Sequence, residues 1–210
     1  MGAIKLKHTS GNGTILNSPA ANPSSDITLK LPSTTGSAGQ VLKVASANHS
    51  STNAELEFAA GGKFASYAII CDEKSAGTNG GTMTSGTWHT RDLNTEIADA
   101  DGIVSISSNQ FTLQAGTYLI KANAAGYYVQ DHMIKLYNVT ASADIAFGTS
   151  AYSNVQAQTR SFLVTRITIG AARTFEIRHK SGATKSTNGF GESTNLAVEK
   201  YLIVEIYKES

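Results

Sequence analysis

The sequence predicts an all-β protein in which a short-stranded N-terminal stem precedes an antiparallel β-sandwich. Apolar and polar residues alternate in three short stretches of Gln110–Val139, and this period of two is typical of strands that bury one face of a sheet. Turn-forming residues are frequent, and there are 19 glycines. The stretches Phe64–Cys71 and Tyr201–Lys208 are apolar on both faces, which indicates strands that are covered on both sides.

The composition excludes several classes of function. Only 16% of the residues are charged, whereas about a quarter is usual in soluble domains. The 17 Lys and Arg residues nearly balance 16 Asp and Glu residues without forming a basic stripe, so we expect no nucleic-acid partner. No segment resembles a signal peptide or is long and apolar enough to cross a bilayer, so we expect no membrane insertion. The single cysteine, Cys71, favours folding in a reducing compartment.

Residues 1–62 predict a stem with little core of its own. The short strand Asp26–Leu31 keeps Ile27, Leu29 and Leu31 in phase, and Val41–Val44 is a second short apolar strand. A separate fold of about 60 residues with so few apolar side chains would be marginal. The segment is therefore a flexible linker or buries its apolar residues against copies of itself. The repeated alternation favours the second interpretation, an intertwined oligomeric stem.

Residues 63–210 predict the sandwich. Phe64–Cys71 is its first strand, and the three stretches of Gln110–Val139 predict an antiparallel meander. Thr140–Gln158 is a polar segment. Arg160–Ile169 and Thr174–His179 are two further strands, joined by a turn that begins at a glycine.

The first and last strands of this region predict a subunit interface. Both carry more apolar surface than a strand exposed to solvent would, and one shared second buried face explains both. We therefore expect these two strands to be neighbours. The residues expected in the interface are Tyr67, Ile69, Leu119, Ile203 and Tyr207.

The pattern of the second region resembles the tumour-necrosis-factor/complement-1q-like jelly roll. Gly116 stands before the aromatic Tyr118 as the family's turn glycine does, and Leu202–Tyr207 matches its terminal strand. The resemblance covers residues 64–208. It implies two sheets of ten strands in total. It also implies a homotrimer, in which the sheet that holds the first and last strands packs around a threefold axis.

A second resemblance is to bacteriophage tail fibre proteins. Ser33–Val44 followed by Glu55–Ala59 resembles a segment of their stems, and Asn188–Gly191 with the ending Val204–Lys208 resembles their distal domains. This resemblance implies a virion protein that is assembled in the host cytoplasm. Residues 1–62 would attach it to other tail or capsid proteins.

Catalytic chemistry has little support in the sequence. Asp131-His132 is a conceivable acid–base pair, but at a strand edge we expect a turn residue and a surface imidazole. Glu192 and Glu199 are a conceivable carboxylate pair for glycan hydrolysis. The five histidines show no metal-ligand spacing. We therefore expect a protein that is not an enzyme and that uses no metal or cofactor.

Recognition is the function that the sequence favours. Jelly rolls present binding groups on loops held by a stiff sandwich, and aromatic rings beside polar turn residues suit the apolar face of a sugar. The same rings could instead pack at the core rim or a subunit interface. The alternatives are a structural decoration or joint protein of the capsid or tail, and an enzyme that acts on surface polysaccharide. The candidate receptor-binding residues, for a host-surface glycan or protein, are Trp88, His89, Tyr127, Tyr128, Tyr152 and Phe190.

Overall fold

The computed structural model describes residues 3–7, 13–17, 28–37, 39–50 and 53–209. The chain divides into two compact units, an N-terminal unit of residues 1–61 and a sandwich unit of residues 62–210. Every regular element in the described ranges is a β-strand, and these ranges contain no helix that could span a membrane. Asp26 and Ile27 of the predicted stem strand lie outside the described residues.

The described residues of the N-terminal unit form two small sheets. One is the antiparallel hairpin of β1 (Ala3–Lys7) and β2 (Gly13–Asn17). The other has the order β3-β5-β4, with β3 parallel to β5 and β4 antiparallel to it. Its strands are β3 (Thr28–Lys30), β4 (Gln40–His49) and β5 (Asn53–Ala60).

The first sheet of the sandwich unit has five strands in the order β15-β11-β17-β6-β8. All of its pairings are antiparallel. Strands β6 and β17 are the first and last of the unit, and their pairing confirms the prediction that they are neighbours. The strands are β6 (Phe64–Lys74), β8 (Thr95–Ala98), β11 (Gly116–Tyr127), β15 (Gln158–Ile169) and β17 (Glu199–Glu209).

The second sheet has seven strands. Its main path is β13-β12-β16-β10-β9, with β14 paired to β12 and β7 paired to β16. The strands are β7 (His89–Thr90), β9 (Val104–Ser107), β10 (Gln110–Leu113), β12 (Gln130–Asn138), β13 (Ala143–Phe147), β14 (Ala151–Ser153) and β16 (Arg173–Ser181).

The core lies between the two sheets. The long strands of both sheets contribute alternate side chains to it, as the period of two in the sequence requires. The five-stranded sheet buries Tyr118 and Ile120 of β11 in this core, and the seven-stranded sheet buries Ile134 and Leu136 of β12. Each long strand therefore has one apolar face. Removing these faces from water is the largest favourable contribution to the stability of the sandwich.

The connections confirm an antiparallel sandwich with jelly-roll topology. From β10 onward the chain crosses repeatedly from one sheet to the other, as in a double-sheet jelly roll. The predicted meander within Gln110–Val139 is therefore wrong, because β11 lies in the opposite sheet from β10 and β12. Thr140–Gln158, predicted as a polar segment, contains strands β13 and β14. These two strands are short and expose their large apolar side chains, so the sequence shows no clear apolar–polar alternation there.

Gly191 is a position where the fold requires glycine. Its φ is +148°, and a Cβ atom there would lie 2.0 Å from Cδ1 of the buried Tyr201.

We predict that Gly191→Ala lowers the free energy of unfolding by about 1–3 kcal/mol, the usual cost of overpacking, as measured by urea denaturation. Gly170→Ala is the matched control, because no atom lies within 4 Å of a Cβ at Gly170. Equal midpoints for the two variants would contradict the packing.

Candidate functional site

The candidate receptor-binding residues gather at one end of the sandwich unit. Trp88 and His89 lie at β7, which pairs with the end of β16. The Tyr127 amide, at the end of β11, donates a hydrogen bond of 3.0 Å to the Gly189 carbonyl. Tyr152 of β14 pairs with Asp131 at the start of β12. The structure thus places residues from four distant parts of the chain together, while their role in binding stays a prediction.

Phe190 is held by neighbouring side chains and is only partly exposed. The Arg91 guanidinium carbon lies 4.4 Å from the centre of its ring, and the His89 ring meets it edge-on at 5.8 Å. His179 is a third neighbour, with 6.2 Å between ring centres. The place of Phe190 between two glycines in the sequence predicts that, of the candidate aromatics, it is the least likely to lie in the core. The structure corrects this expectation, because one side of the ring packs on the buried Arg91 and His179.

Arg91 is a buried cation that ties this end of the sandwich together. It donates hydrogen bonds to the carbonyl of Ala125 at 3.2 Å and to that of Phe190 at 3.1 Å. Burial lowers the pKa of Arg91 to about 10, although the carboxylate of Asp72, 3.8 Å away, acts in the opposite direction. Burial likewise raises the pKa of Asp72. Arg91 therefore anchors the Phe190 loop to the end of β11.

His132 and His179 form a buried imidazole pair beside Arg91. Nδ1 of His132 lies 2.9 Å from Nε2 of His179, and Nε2 of His132 lies 2.8 Å from Oγ1 of Thr159. The prediction of a surface imidazole at His132 is therefore wrong, because β12 turns this side chain into the sandwich. Asp131 points to the other face and is exposed. With both nitrogens of His132 engaged, the two residues do not form an acid–base pair.

An aromatic cage surrounds Lys135 on the outer face of the seven-stranded sheet. The Lys135 ammonium lies 4.3 Å from the Trp88 ring centre and 5.9 Å from that of Phe147. It also forms an ion pair of 2.6 Å with Asp144. Sequence reasoning missed this cage. Strand alternation could have indicated it, because Met133, Lys135 and Tyr137 share the face opposite to Ile134 and Leu136.

A cleft of about 230 Å³ opens beside this cage. Trp88 lines it together with Asp131, Met133 and Lys180. Met133 and Lys180 are directly opposite each other in the β12–β16 register, and Asp131 precedes Met133 by two residues on the same side of the strand. The cleft therefore combines an indole, a thioether, a carboxylate and an ammonium group within one small volume.

The remaining candidates occupy different surroundings. Tyr128 and Tyr127 lie near the Lys185 ammonium, at 5.0 Å and 5.9 Å from the ring centres. Nε2 of His89 lies 2.8 Å from both the Thr84 carbonyl and the Thr87 hydroxyl. Tyr152 is 58% exposed. Tyr128 is 40% exposed and the other four candidate side chains are only partly exposed, so Tyr152 is the most accessible of the six.

Glu192 and Glu199 do not form a catalytic pair in the described structure. The Glu199 carboxylate accepts hydrogen bonds from the backbone amides of Thr194 and Asn195, and Glu192 accepts one from the side chain of Asn188. Both carboxylates therefore organise the loop before β17. Within residues 53–209 and the other described ranges, no cluster of three or more His, Cys, Asp and Glu side chains could hold a metal ion.

The outer face of the five-stranded sheet carries the predicted interface residues in register. Leu119 pairs with Tyr207, and Tyr207 pairs with Tyr67 on the next strand. Ile69 and Ile203 lie on the same face, where Phe162 and Val164 of β15 extend the apolar surface. Tyr67 is 54%, Phe162 53% and Val164 66% exposed in the single chain. We call this surface the apolar sheet face, and it is defined by these seven residues.

Comparisons with known proteins give likeness in fold only. No protein-family model matches the sequence, and no curated protein matches it. The globular domain of zebrafish complement 1qA protein is similar at 11% identity and a TM-score of 0.45, over 70% of this chain and 96% of that one. Murine APRIL is similar at 7% identity and a TM-score of 0.44, over 68% and 98%. The Eiger TNF structure from S. frugiperda has 12% identity and a TM-score of 0.47, over 71% and 94%. At this level of likeness, none of the three supports a functional inference.

The imidazole pair predicts acid sensitivity. Burial and the nearby Arg91 lower the pKa of His132 to about 4, and burial lowers that of His179 well below its ordinary value. Below about pH 6.5 both histidines gain protons in the unfolded chain but not in the folded protein. Their contribution to the stability of the folded protein is therefore complete above that pH and is lost on acidification. We predict that the free energy of unfolding falls by up to about 1.4 kcal/mol per pH unit for each histidine.

Urea denaturation between about pH 7.5 and about pH 5 measures this slope. The double variant His132→Gln, His179→Gln retains donors and acceptors but removes both titrations, so its slope is expected to be smaller. NMR of the imidazole protons in the unaltered protein gives an independent measurement that does not depend on how the variant folds. Titration of both rings near pH 6.5 would contradict the account.

Proposed function

We propose that this chain is a trimeric virion fibre protein whose head, residues 63–210, binds a host-cell surface receptor, a glycan or a protein. Residues 1–62 form the stem that attaches it to other tail or capsid proteins. The support for the virion setting is the sequence resemblance of the stem and of the distal loop to bacteriophage fibres. Binding, and not catalysis, is the activity that this proposal assigns to the head.

The apolar sheet face is the observation that carries the proposal. Large contiguous apolar patches on a monomer are typical of interaction surfaces, and this one spans β6, β17, β11 and β15. Its central charges, Lys121 and Glu205, face each other at 3.9 Å, so the patch holds little net charge. A second and third copy of the same face would cover it with matching chemistry.

The separation of the two faces supports recognition by the same head. The apolar sheet face belongs to the five-stranded sheet, whereas the cage and the cleft belong to the seven-stranded sheet. Association through the first leaves the second accessible, together with Tyr152. Three copies would then present three sites, and simultaneous contacts would raise the overall affinity without any new contact in each site.

The N-terminal unit supports the stem. In the sheet of β3, β4 and β5, and directly after β3, five apolar side chains are exposed: Leu29, Leu31, Val41, Leu42 and Val44. Such a sheet gains stability when copies cover its apolar residues. This arrangement agrees with the in-phase pattern of the sequence and favours an intertwined stem over a flexible linker.

A structural decoration or joint protein without receptor binding is the second candidate. The packing of Phe190 against Arg91 and His179 favours it, as does the contact between Trp88 and Phe147. These rings contribute to the stability of the sandwich whether or not a ligand is bound. Receptor binding must therefore be tested separately from assembly.

Val164→Glu tests assembly. A carboxylate placed in a contact that excludes water costs several kcal/mol, so we predict that this variant shifts the equilibrium from trimer toward monomer relative to the unaltered protein, even though the stem also joins the chains. Sedimentation velocity measures the change. Val155→Glu is the matched control, because Val155 is 76% exposed and lies in a loop outside the apolar sheet face. Dissociation of both variants, or of neither, would contradict the assignment of the interface.

Competition for adsorption tests receptor binding. We predict that the purified trimer blocks attachment of the intact virus to host cells in a dose-dependent manner, because it occupies the same receptors. The Val164→Glu monomer should block less well, since it loses the gain from multivalency. Protein that remains trimeric but never slows adsorption would favour the structural alternative.

A further inference from the structure

The cleft beside Trp88 has the composition of a small-ligand site. Its volume of about 230 Å³ is below the roughly 300–1,000 Å³ of pockets that enclose drug-sized molecules. Strands β12, β14 and β16 form a continuous hydrogen-bonded floor beneath it. A rigid floor of this kind places side chains reproducibly and reduces the entropy lost when a ligand binds. The size suits one ring with its substituents.

Two charges in this cleft are without ion-pair partners. Elsewhere on the same sheet, Lys135 pairs with Asp144 and Arg178 pairs with Glu176. Across residues 53–209, by contrast, neither Asp131 nor Lys180 forms a salt bridge or a side-chain hydrogen bond with another described residue. A carboxylate and an ammonium group that line one cleft and remain unpaired are available to a ligand.

Gly182 leaves room for the Asp131 carboxylate. A Cβ atom at this residue would lie 2.2 Å from Oδ1 of Asp131, so any larger residue would displace the carboxylate from its place over the backbone. The Gly182 amide also donates a hydrogen bond of 2.8 Å to the Asp131 carbonyl. The glycine thus holds the backbone of Asp131 and leaves the space that its carboxylate occupies.

The charges select the class of ligand. An anion would be repelled by Asp131 and a cation by Lys180, so a ligand without net charge is favoured. The apolar surface of Trp88 and Met133 beside the two charges favours an uncharged ring that donates and accepts hydrogen bonds over a zwitterion. Neighbouring hydroxyl groups would donate to the Asp131 carboxylate and accept from the Lys180 ammonium group. Trp88, Met133 and Ala151 supply apolar surface for the C–H face of the same ring.

We propose that this cleft binds one neutral pyranose ring, as the terminal sugar of a surface glycan. The inference deepens the proposed receptor binding and rests on it for its biological setting.

Trp88 is the single tryptophan of the chain, so indole fluorescence reports directly on the cleft. The probes are the methyl glycosides of galactose, glucose, mannose and N-acetylglucosamine. Their charged counterparts are the methyl glycosides of galacturonic, glucuronic and mannuronic acid and of glucosamine. We expect a saturable fluorescence change with at least one neutral glycoside and weaker binding of its charged counterpart. No saturable change with any neutral glycoside, or preferential binding of a charged one, would overturn the proposal.

Three variants locate the binding. Asp131→Asn and Lys180→Met each remove a charge from an exposed side chain, and each should weaken binding about 10-fold. Gly182→Ala should weaken it while leaving both charges in place, because it displaces the carboxylate. Asp101→Asn, in an exposed turn elsewhere, should bind like the unaltered protein. A fluorescence change that all four variants retain unaltered would refute the site.

Adsorption competition separates this inference from the proposed function. If Asp131→Asn and Lys180→Met block virus adsorption as well as the unaltered protein does, the cleft proposal fails while receptor binding stands. If the protein binds a neutral glycoside in the cleft but never blocks adsorption, the cleft stands and the proposed function fails.

Discussion

The sandwich depends on the pairing of its first and last strands. Strand β17 lies between β6 and β11 along nearly its whole length, so the end of the chain completes the five-stranded sheet. Ile70, Val204 and Ile206 of these strands enter the core, while Tyr67 and Tyr207 point outward on the apolar sheet face. One pairing thus closes the core and creates the surface on which assembly is proposed.

Strand alternation allowed much of this arrangement to be predicted from the sequence. The doubly apolar stretches Phe64–Cys71 and Tyr201–Lys208 indicated both the pairing and an outer apolar face. Alternation does not specify which sheet a strand joins, and so Gln110–Val139 suggested a meander when its strands belong to different sheets. The site was harder to predict, because the burial of Arg91 and His132 arises from contacts with β11 and β16 that are distant in the sequence.

The two sheets differ in the chemistry of their outer faces. The five-stranded sheet presents apolar side chains that suit contact with identical copies, whereas the seven-stranded sheet presents the Lys135 cage and a cleft with unpaired charges. Below the cleft, the buried Arg91 and the imidazole pair anchor the loop that carries Phe190. The same buried groups make this end of the sandwich dependent on pH, because His132 and His179 are accommodated as neutral side chains.

In the proposed trimer, the apolar sheet face is covered by other copies of the chain. Hydroxyl-radical footprinting of the intact protein tests it most directly, because it measures side-chain accessibility residue by residue. Tyr67, Phe162 and Tyr152 have similar exposed fractions in the single chain, 54%, 53% and 58%. The account predicts that Tyr67 and Phe162 are protected while Tyr152 is modified. Equal modification of all three rings would contradict it.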